Sequence, residues 1–325
     1  MLKAAVLGLG TIAPMHLNAI AALEGVELAA VCDIDPARRK TVGADVPFYT
    51  DYRRLLTEIT PDVVHICLPH YLHVPVAVEA AEQGCHVFCE KPPAMDAAEM
   101  ERFVVLERMH PDLKLAVCFQ NRRNRTAAEL KRRLESGEYG AITDLKGVML
   151  WRREKDYYTE KPWRGRLADA GGGCLFNQAI HTIDLLCWLG GPVKSLRSLS
   201  GQLLDLGIEV EDTAVASLSY ESGARGFFMG TLANYADEFL QIAVKTQRAE
   251  FIIEHEELSQ VTPGGREVLA RDERLSGGKA YYGSGHFKLI SEFYHAIATD
   301  GEDYVHISDA AESLRVADAI RRAGS

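Results

Sequence analysis

The sequence lacks several features that mark whole classes of protein. No run of about 18 apolar residues is present, so we expect no transmembrane helix and no membrane partner. The opening residues, MLKAAVLGLG, have no basic region followed by a long apolar segment and a cleavage site, so we expect no signal peptide. Net positive charge is also missing: the formal charge is −10 and the pI about 5.6. Because binding to nucleic acid needs a basic surface, we do not expect nucleic acid as a partner.

Cysteines are few and odd in number. There are seven, and Cys32, Cys67 and Cys118 fall within apolar strand-like runs. Such residues are typical of reduced core thiols in a cytoplasmic protein. Cys85 and Cys89 have a spacing that metal ligands use, but His86 alone does not complete a set, so no metal is predicted.

The first part of the chain alternates between two kinds of periodicity. The chain has 325 residues, of which 47% are hydrophobic, enough for two domains with their own cores. Short apolar runs alternate with segments of helical spacing as far as about residue 120, a pattern that predicts a doubly wound α/β fold with a parallel sheet. The predicted strands are 3–9, 26–32, 62–68, 86–90 and 114–120.

The pattern changes after about residue 123. A helix over about 127–136 leads to a strand at 142–151, and a helix over 175–189 ends at two glycines and a proline. Further strands without intervening helices then predict a largely antiparallel sheet in an α+β domain. They include 213–220, 224–232 and 239–246. We therefore predict domains at 1–122 and 123–325, with the closing helices (286–298 and 308–322) packing back on the first domain.

A glycine-rich turn follows the first strand. Residues 8–13 read GLGTIA, in which Gly8 permits a tight turn, Gly10 lets a pyrophosphate approach the backbone and Ala13 lets the helix pack closely. Asp33 ends the next strand, where a carboxylate can accept hydrogen bonds from a ribose. The pattern predicts dinucleotide binding, and the charge of Asp33 favours NAD. Arg38, one turn further on, leaves NADP open as the alternative.

A lysine between a strand and two prolines forms the second candidate site. Residues 89–94 read CEKPPA, and in an open parallel sheet ligands bind beyond the carboxyl ends of the strands. Lys91 is therefore predicted beside the nicotinamide half of the cofactor. The alternative is a surface lysine at a strand exit.

A polar helix face after three glycines forms the third candidate site. Asn177, His181 and Asp184 share one face if residues 175–189 are a single helix. Glycines at 171–173 suggest a backbone brought close to a ligand. The alternative is a solvent-exposed helix face on which Asp184 forms a hydrogen bond with His181.

Together these motifs resemble the Gfo/Idh/MocA oxidoreductase family, which includes glucose–fructose oxidoreductase and inositol dehydrogenase. The segments that carry the resemblance are GLGTIA, LPHYLH (68–73), HVFCEKP (86–92), GGGCLFNQAIHTIDLL (171–186) and GSGHFKLISEFYHAI (283–297). The resemblance implies an N-terminal Rossmann domain and a C-terminal domain built on an open, largely antiparallel sheet. That sheet commonly forms a dimer or tetramer interface in the family.

The resemblance also implies roles for individual residues. Lys91 and His181 match the family's catalytic residues, and Asn177 stands where aspartate is frequent, so acid–base chemistry falls on His181 and Lys91. The residues implied for cofactor binding are Gly8, Gly10, Thr11, Ile12, Asp33, Arg38, Leu68, His70, His73, Glu90, Lys91 and Gln120. The candidates for substrate binding are Asn177, Arg164, Tyr158 and His286.

The predicted function is reversible hydride transfer between a nicotinamide and a hydroxyl-bearing carbon of a sugar, sugar derivative or cyclitol. The residues leave open which of these is used, the physiological direction and the size of the oligomer. Two alternatives are an NAD-dependent glycosidase that oxidises its substrate transiently and a non-catalytic sensor of NAD redox state.

Overall fold

The structure is a computed structural model of the chain, and it describes residues 1–238, 240–273 and 285–323. Contacts divide the chain into two compact units. The first contains Met1–Ala94, Ala98–Cys118 and His286–Ala311. The second contains the described residues of Met95–Ala97, Phe119–Gly285 and Glu312–Ser325.

The first unit is built on a six-stranded parallel sheet of order β3-β2-β1-β4-β5-β6. Its strands are β1 (Leu2–Leu7), β2 (Val26–Cys32), β3 (Phe48–Tyr49), β4 (Val63–Ile66), β5 (His86–Cys89) and β6 (Leu115–Val117). The doubly wound fold is confirmed. The short strand β3 was not predicted, because two residues are too few for a periodic pattern, and Glu90 therefore follows the fifth strand and not the fourth.

Helices connect the strands of this first sheet. They are α1 (Ala13–Ala22), α2 (Tyr52–Ile59), α3 (His73–Glu82) and α4 (Ala97–Met109), with 3-10 turns at Pro36–Thr41 and His70–Leu72. Asp51 caps α2 by accepting a hydrogen bond from the Arg53 N–H. Strand β4 is fully buried, as expected for a parallel sheet covered on both faces.

The second unit is built on an eight-stranded sheet of order β14-β13-β12-β11-β7-β10-β9-β8. Among its described strands, β7 and β10 pair in parallel and the other neighbours are antiparallel. The strands are β7 (Ile142–Leu150), β8 (Val193–Gly201), β9 (Thr213–Tyr220), β10 (Arg225–Thr231), β11 (Gln241–Thr246), β12 (Glu250–Glu254), β13 (Glu257–Thr262) and β14 (Gly265–Arg271). The prediction of a largely antiparallel sheet is confirmed; Phe239, the first residue of one predicted strand, lies outside the described residues.

One helix lies against the middle of this second sheet. The helices of the unit are α5 (Arg125–Glu135), α6 (Lys155–Thr159), α7 (Leu167–Ala170), α8 (Cys174–Asn177) and α9 (Ile180–Gly190), with 3-10 turns at Gln120–Arg123 and Pro162–Gly165. A Cβ at Gly147 of β7 would lie 2.7 Å from the Thr182 side chain and 2.8 Å from that of Leu186. Glycine at 147 therefore allows α9 its close approach to the sheet.

The prediction of one helix over 175–189 is wrong. The helix is interrupted at Gln178 and Ala179, where the Ala179 N–H reaches back to the Cys174 carbonyl. Asn177 and His181 consequently belong to different helices, α8 and α9. Two apolar residues of α9, Ile180 and Ile183, are buried, with exposures of 0% and 1%.

Two further helices are α10 (Gly285–Thr299) and α11 (Ile307–Ala323). Residues of α11 belong to both units, whereas α10 from His286 onward belongs to the first. Across the described ranges, no helix combines the length and the apolar composition that crossing a bilayer would require.

Candidate functional site

The glycine turn after β1 has the conformation that its sequence predicts. Gly8 has a φ of +91°, and a Cβ there would lie 2.4 Å from the Cys67 carbonyl oxygen. Only glycine fits this position. Ile12, at the N-cap of α1, supplies no capping hydrogen bond from its side chain, so the helix N-terminus keeps its affinity for an anion. Ala13 is buried and brings the helix close to the strand. These features fit a dinucleotide pyrophosphate.

Asp33 connects the glycine turn to the end of β2. Its Oδ2 accepts a hydrogen bond of 2.8 Å from the Leu9 N–H, and its Oδ1 accepts one from the Asp35 N–H. The carboxylate is thereby fixed at the strand end predicted for the ribose. Arg38 is exposed and lies 3.7 Å from Asp35, whereas Arg39 donates to the carbonyls of residues 43 and 44.

Lys91 directly follows Glu90 at the carboxyl end of β5, as predicted. The Lys91 N–H donates to Oε2 of Glu90 at 3.2 Å, and the Lys91–Pro92 peptide bond is cis. His73 ties this turn to its neighbour, since one ring nitrogen lies 2.7 Å from the Pro92 carbonyl oxygen and the other 2.8 Å from that of Leu68. The backbone at Lys91 is therefore fixed by Glu90 on one side and by the contact of His73 with Pro92 on the other.

Glu90 is a buried carboxylate with histidine neighbours. Its exposure is 4%, and its Oε1 lies 3.0 Å from Nε2 of His16 and 3.6 Å from Nε2 of His286. Burial alone would raise the pKa of Glu90, but the hydrogen bond from His16 and the close approach of His286 hold the pKa well below its usual value. Glu90 is therefore ionised at neutral pH.

The same region contains the potential metal ligands Glu90, Cys118 and His286, whose donor atoms lie within 4.8 Å of one another. Burial raises the pKa of the Cys118 thiol well above its usual value, and the nearby Glu90 adds to the shift. Glu90 already accepts hydrogen bonds from His16 and from the Lys91 N–H. We assign no metal to this group.

In the second unit, the three glycines approach the protein's own backbone. A Cβ at Gly171 would lie 2.6 Å from the Met95 carbonyl oxygen, and one at Gly173 would lie 2.0 Å from that of Glu211. The side chain of Glu211 accepts hydrogen bonds from the N–H groups of Gly173 and Leu175, both at 2.9 Å. The close approach read from the sequence therefore serves to position α8, and Glu211 is a residue that the sequence did not single out.

Tyr157 organises the polar side chains that follow the glycines. Its hydroxyl oxygen accepts hydrogen bonds from the amide groups of Asn177, at 3.0 Å, and Gln178, at 2.9 Å. With two donors on the oxygen, its own O–H acts as a donor. The Arg164 guanidinium lies 4.0 Å from the ring centroid, and Arg164 also donates to the Tyr157 carbonyl. Asn177, Gln178 and Arg164 are thus gathered around one aromatic side chain.

His181 is held by residues of the 3-10 turn at Gln120–Arg123. Its Nε2 lies 3.4 Å from Nε2 of Gln120, and its ring packs edge-on against Phe119 with centroids 6.1 Å apart. With the amide in this orientation, the Gln120 NH₂ donates, so Nε2 of His181 accepts and its proton lies on Nδ1. Gln120, implied for cofactor binding, therefore contacts the candidate base itself.

Asp184 does not satisfy His181. It is fully buried, and its two oxygens accept hydrogen bonds from Arg122 at 2.9 and 2.6 Å, with a further bond from Ser313 at 2.8 Å. The alternative of a solvated face is therefore wrong at Asp184, which forms a buried ion pair that joins the 3-10 turn carrying Gln120 to helix α9. This pair fixes the two elements that hold His181.

Two of the proposed substrate-binding residues lie in the interior. Tyr158 is 5% exposed, burial raises its pKa far above the usual value, and its hydroxyl has no hydrogen-bond partner among the described residues. His286 is 1% exposed and belongs to the first unit, beside Glu90. Tyr157, and not Tyr158, therefore lies beside the amides of Asn177 and Gln178, and His286 lies beside Glu90.

The chain matches two family models in succession. Residues 2–118 match the oxidoreductase family with an NAD-binding Rossmann fold, and residues 127–256 match the GFO/IDH/MocA C-terminal domain. The chain therefore belongs to the Gfo/Idh/MocA family of oxidoreductases, and its N-terminal domain is an NAD-binding domain.

Curated relatives in this family carry the names of dehydrogenases. Inositol 2-dehydrogenase of Salmonella paratyphi B is 31% identical over 193 residues, which are 58% of this chain and 54% of that protein. D-glucoside 3-dehydrogenase of Escherichia coli is 30% identical over 214 residues, 62% of this chain and 58% of that protein. The matched segment thus spans about half the length of these relatives.

A solved structure with the same fold covers nearly the whole chain. The WlbA dehydrogenase from Bordetella pertussis, in complex with NADH and UDP-GlcNAcA, superimposes with a TM-score of 0.87 at 28% identity. The alignment covers 99% of this chain and 96% of that chain.

The buried pair of Arg122 and Asp184 generates a stability prediction. Asp184→Asn should lower the free energy of unfolding by about 3–5 kcal/mol, because it leaves a buried guanidinium without its counter-charge. Urea unfolding measures the loss. The double variant Arg122→Met/Asp184→Leu, which removes both charges, should recover most of it. Equal losses in the single and double variants would show that charge pairing does not stabilise this region.

Proposed function

We propose that the protein is an NAD-dependent dehydrogenase that oxidises a hydroxyl-bearing carbon of a sugar, sugar derivative or cyclitol. The observation that carries the proposal is the contact between the Gln120 amide and the imidazole of His181. The first domain of the same chain is an NAD-binding domain, and Lys91 follows the end of its strand β5. The names of the relatives, inositol 2-dehydrogenase and D-glucoside 3-dehydrogenase, support the same reaction class over a glycosidase or a sensor.

His181 is the proposed general base. An imidazole whose Nε2 carries no proton can take the proton of a substrate hydroxyl, and the Gln120 amide orients that nitrogen. Lys91 stabilises the negative charge that develops on the oxygen as this proton leaves. Nicotinamide, when bound, supplies hydride acceptance. Asn177 is an amide and holds no proton to transfer, so it orients the substrate through hydrogen bonds.

The charges around Tyr157 support a polyhydroxylated substrate of low charge. Arg153 pairs with Asp237 and Arg152 with Glu154, so two basic side chains of this loop are already neutralised. The amides of Asn177 and Gln178 and the hydroxyl of Tyr157 are groups that match sugar or cyclitol hydroxyls. WlbA of Bordetella pertussis was solved with a nucleotide sugar.

We also propose that the protein forms a homodimer or homotetramer through the sheet of the second unit. The register of the strands places one set of apolar side chains on a single face of this sheet. Its exposed members are Leu199 (78%), Phe227 (42%), Val261 (38%) and Val268 (42%). Exposed apolar surface of this extent on one face favours association with a second copy.

We propose a cytoplasmic location because the cysteines form no disulfides. All seven cysteines are buried, and none of them forms a disulfide. Such residues suit a reducing compartment.

The dehydrogenase proposal predicts the behaviour of Lys91→Met. Wild-type protein should reduce NAD with at least one sugar, sugar acid or cyclitol, and the variant should lose about a hundredfold or more in kcat while still binding NADH, because an oxyanion-stabilising group is removed. Absorbance of NADH measures turnover, and fluorescence titration measures NADH binding. Lys194→Met, at an exposed lysine, is the control. Near wild-type turnover in Lys91→Met would remove Lys91 from the chemistry.

The position of Asp33 predicts cofactor preference. Asp33→Ser should lower kcat/KM for NAD by about tenfold, since a charged hydrogen-bond acceptor is lost, and raise kcat/KM for NADP by removing repulsion of the 2′-phosphate. Steady-state kinetics with both cofactors measures the change, with Asp35→Ser as the neighbouring control. An unchanged NAD/NADP ratio would place the ribose away from Asp33.

The exposed sheet face predicts the effect of Leu199→Glu/Phe227→Glu. Charge on this face should prevent association, so the variant should elute as a monomer near 35.9 kDa, whereas the wild type elutes as a dimer or tetramer. Size-exclusion chromatography with light scattering measures both masses. Tyr235→Glu, at a loop residue 79% exposed, is the control. A monomeric wild type would refute the proposal.

A further inference from the structure

A continuous line of buried side chains lies behind Glu90 in the first unit. The Tyr294 hydroxyl lies 2.9 Å from Nε2 of His65, Nδ1 of His65 lies 2.9 Å from Nδ1 of His16, and Nε2 of His16 lies 3.0 Å from Oε1 of Glu90. The exposures of Tyr294, His65 and His16 are 4%, 0% and 0%. The line joins α10, β4 and α1 to the end of β5, and the last group in it touches Lys91.

Chemistry assigns one direction to these hydrogen bonds. Ionised Glu90 can only accept, so Nε2 of His16 carries a proton. A bond between two Nδ1 atoms contains a single proton, and we assign that proton to Nδ1 of His65. Burial lowers the pKa of His65 and raises that of Tyr294, so His65 is neutral and its Nε2 accepts from the tyrosine O–H. Every bond then points from Tyr294 toward Glu90.

Burying this many polar groups would be unfavourable if they served packing alone. His65 lies in the fully buried strand β4, where the other residues are two valines and an isoleucine. Its ring stacks between Phe88 and Tyr294, with centroids 5.2 and 5.8 Å away. An apolar side chain could fill the same place without needing partners. The chain of bonds, however, gives Glu90 a directed donor, and Glu90 then accepts from the Lys91 N–H with its other oxygen.

We propose that His16 and His65 are positioning residues of the Lys91 site: their directed hydrogen bonds orient the Glu90 carboxylate, which in turn fixes the main chain of Lys91. His286 approaches the same carboxylate oxygen and completes its surroundings. The proposal deepens the proposed function and rests on it, since it assumes that Lys91 acts in the reaction.

Kinetics of three variants test the functional part. His16→Leu removes the donor and should lower kcat roughly 10- to 100-fold, because a small displacement of a catalytic group is costly, while the NADH dissociation constant changes less than threefold. His16→Gln keeps an N–H near the position of Nε2 and should recover at least half of the loss on a logarithmic scale. His295→Leu, an exposed histidine on α10, should match the wild type. A folded His16→Leu enzyme with wild-type kcat, or a His16→Gln enzyme no better than His16→Leu, would overturn the proposal.

Two measurements that need no turnover separate this proposal from the proposed function. In protein labelled with ¹⁵N-histidine, NMR should find His16 protonated at Nε2 and His65 at Nδ1; the opposite tautomer at His65 would refute the assigned direction. In protein labelled with ¹⁵N-lysine, hydrogen exchange of the Lys91 amide should be at least tenfold faster in His16→Leu than in wild type or His295→Leu. An unchanged rate would refute the link to Lys91 even if the enzyme is active. If His16→Leu does not fold, Tyr294→Phe replaces it and should shift the His65 ring signals, and unshifted signals would refute the chain.

Discussion

The burial of carboxylates is the constraint on which the candidate site depends. A buried negative charge is tolerated only if hydrogen-bond donors surround it, and those donors must come from elsewhere in the chain. Glu90 receives His16 and the Lys91 N–H, Asp184 receives Arg122 and Ser313, and Glu211 receives backbone N–H groups after the glycines. Each carboxylate thus joins segments that are distant in sequence, and a candidate functional segment adjoins each one.

The local signals in the sequence predicted most of the fold. Strands β9 and β4 were found because apolar runs of ordinary length end at turn residues, and β9 begins and ends at its predicted residues, Thr213 and Tyr220. Strand β3 was missed because Phe48 and Tyr49 form no periodic pattern. The break after Asn177 was missed because helical spacing continues through Gln178 and Ala179. The glycine segment before α8 packs on Val210 and Glu211, a contact between distant segments that the local pattern does not contain.

Residues with local signals were also the ones predicted for the site. Gly8 and Lys91 stand at strand ends beside glycine or proline, and such positions can be read from a single sequence. His16 and His65 could not be read in this way, since their partners lie 49 to 229 residues away along the chain. The sequence contains only an indirect signal. A histidine within the apolar run VVHI is expected to be buried, and a buried imidazole needs a hydrogen-bond partner from the protein.

The two candidate catalytic residues, Lys91 and His181, have neighbours of different charge. Lys91 adjoins an ionised carboxylate, which favours a positive charge nearby. His181 instead meets the neutral amide of Gln120 and the edge of Phe119, while the nearest helical acid, Asp184, is already paired with Arg122. Reversible oxidation of an alcohol requires one group that stabilises an oxyanion and another that exchanges protons, and these are the roles proposed for Lys91 and His181.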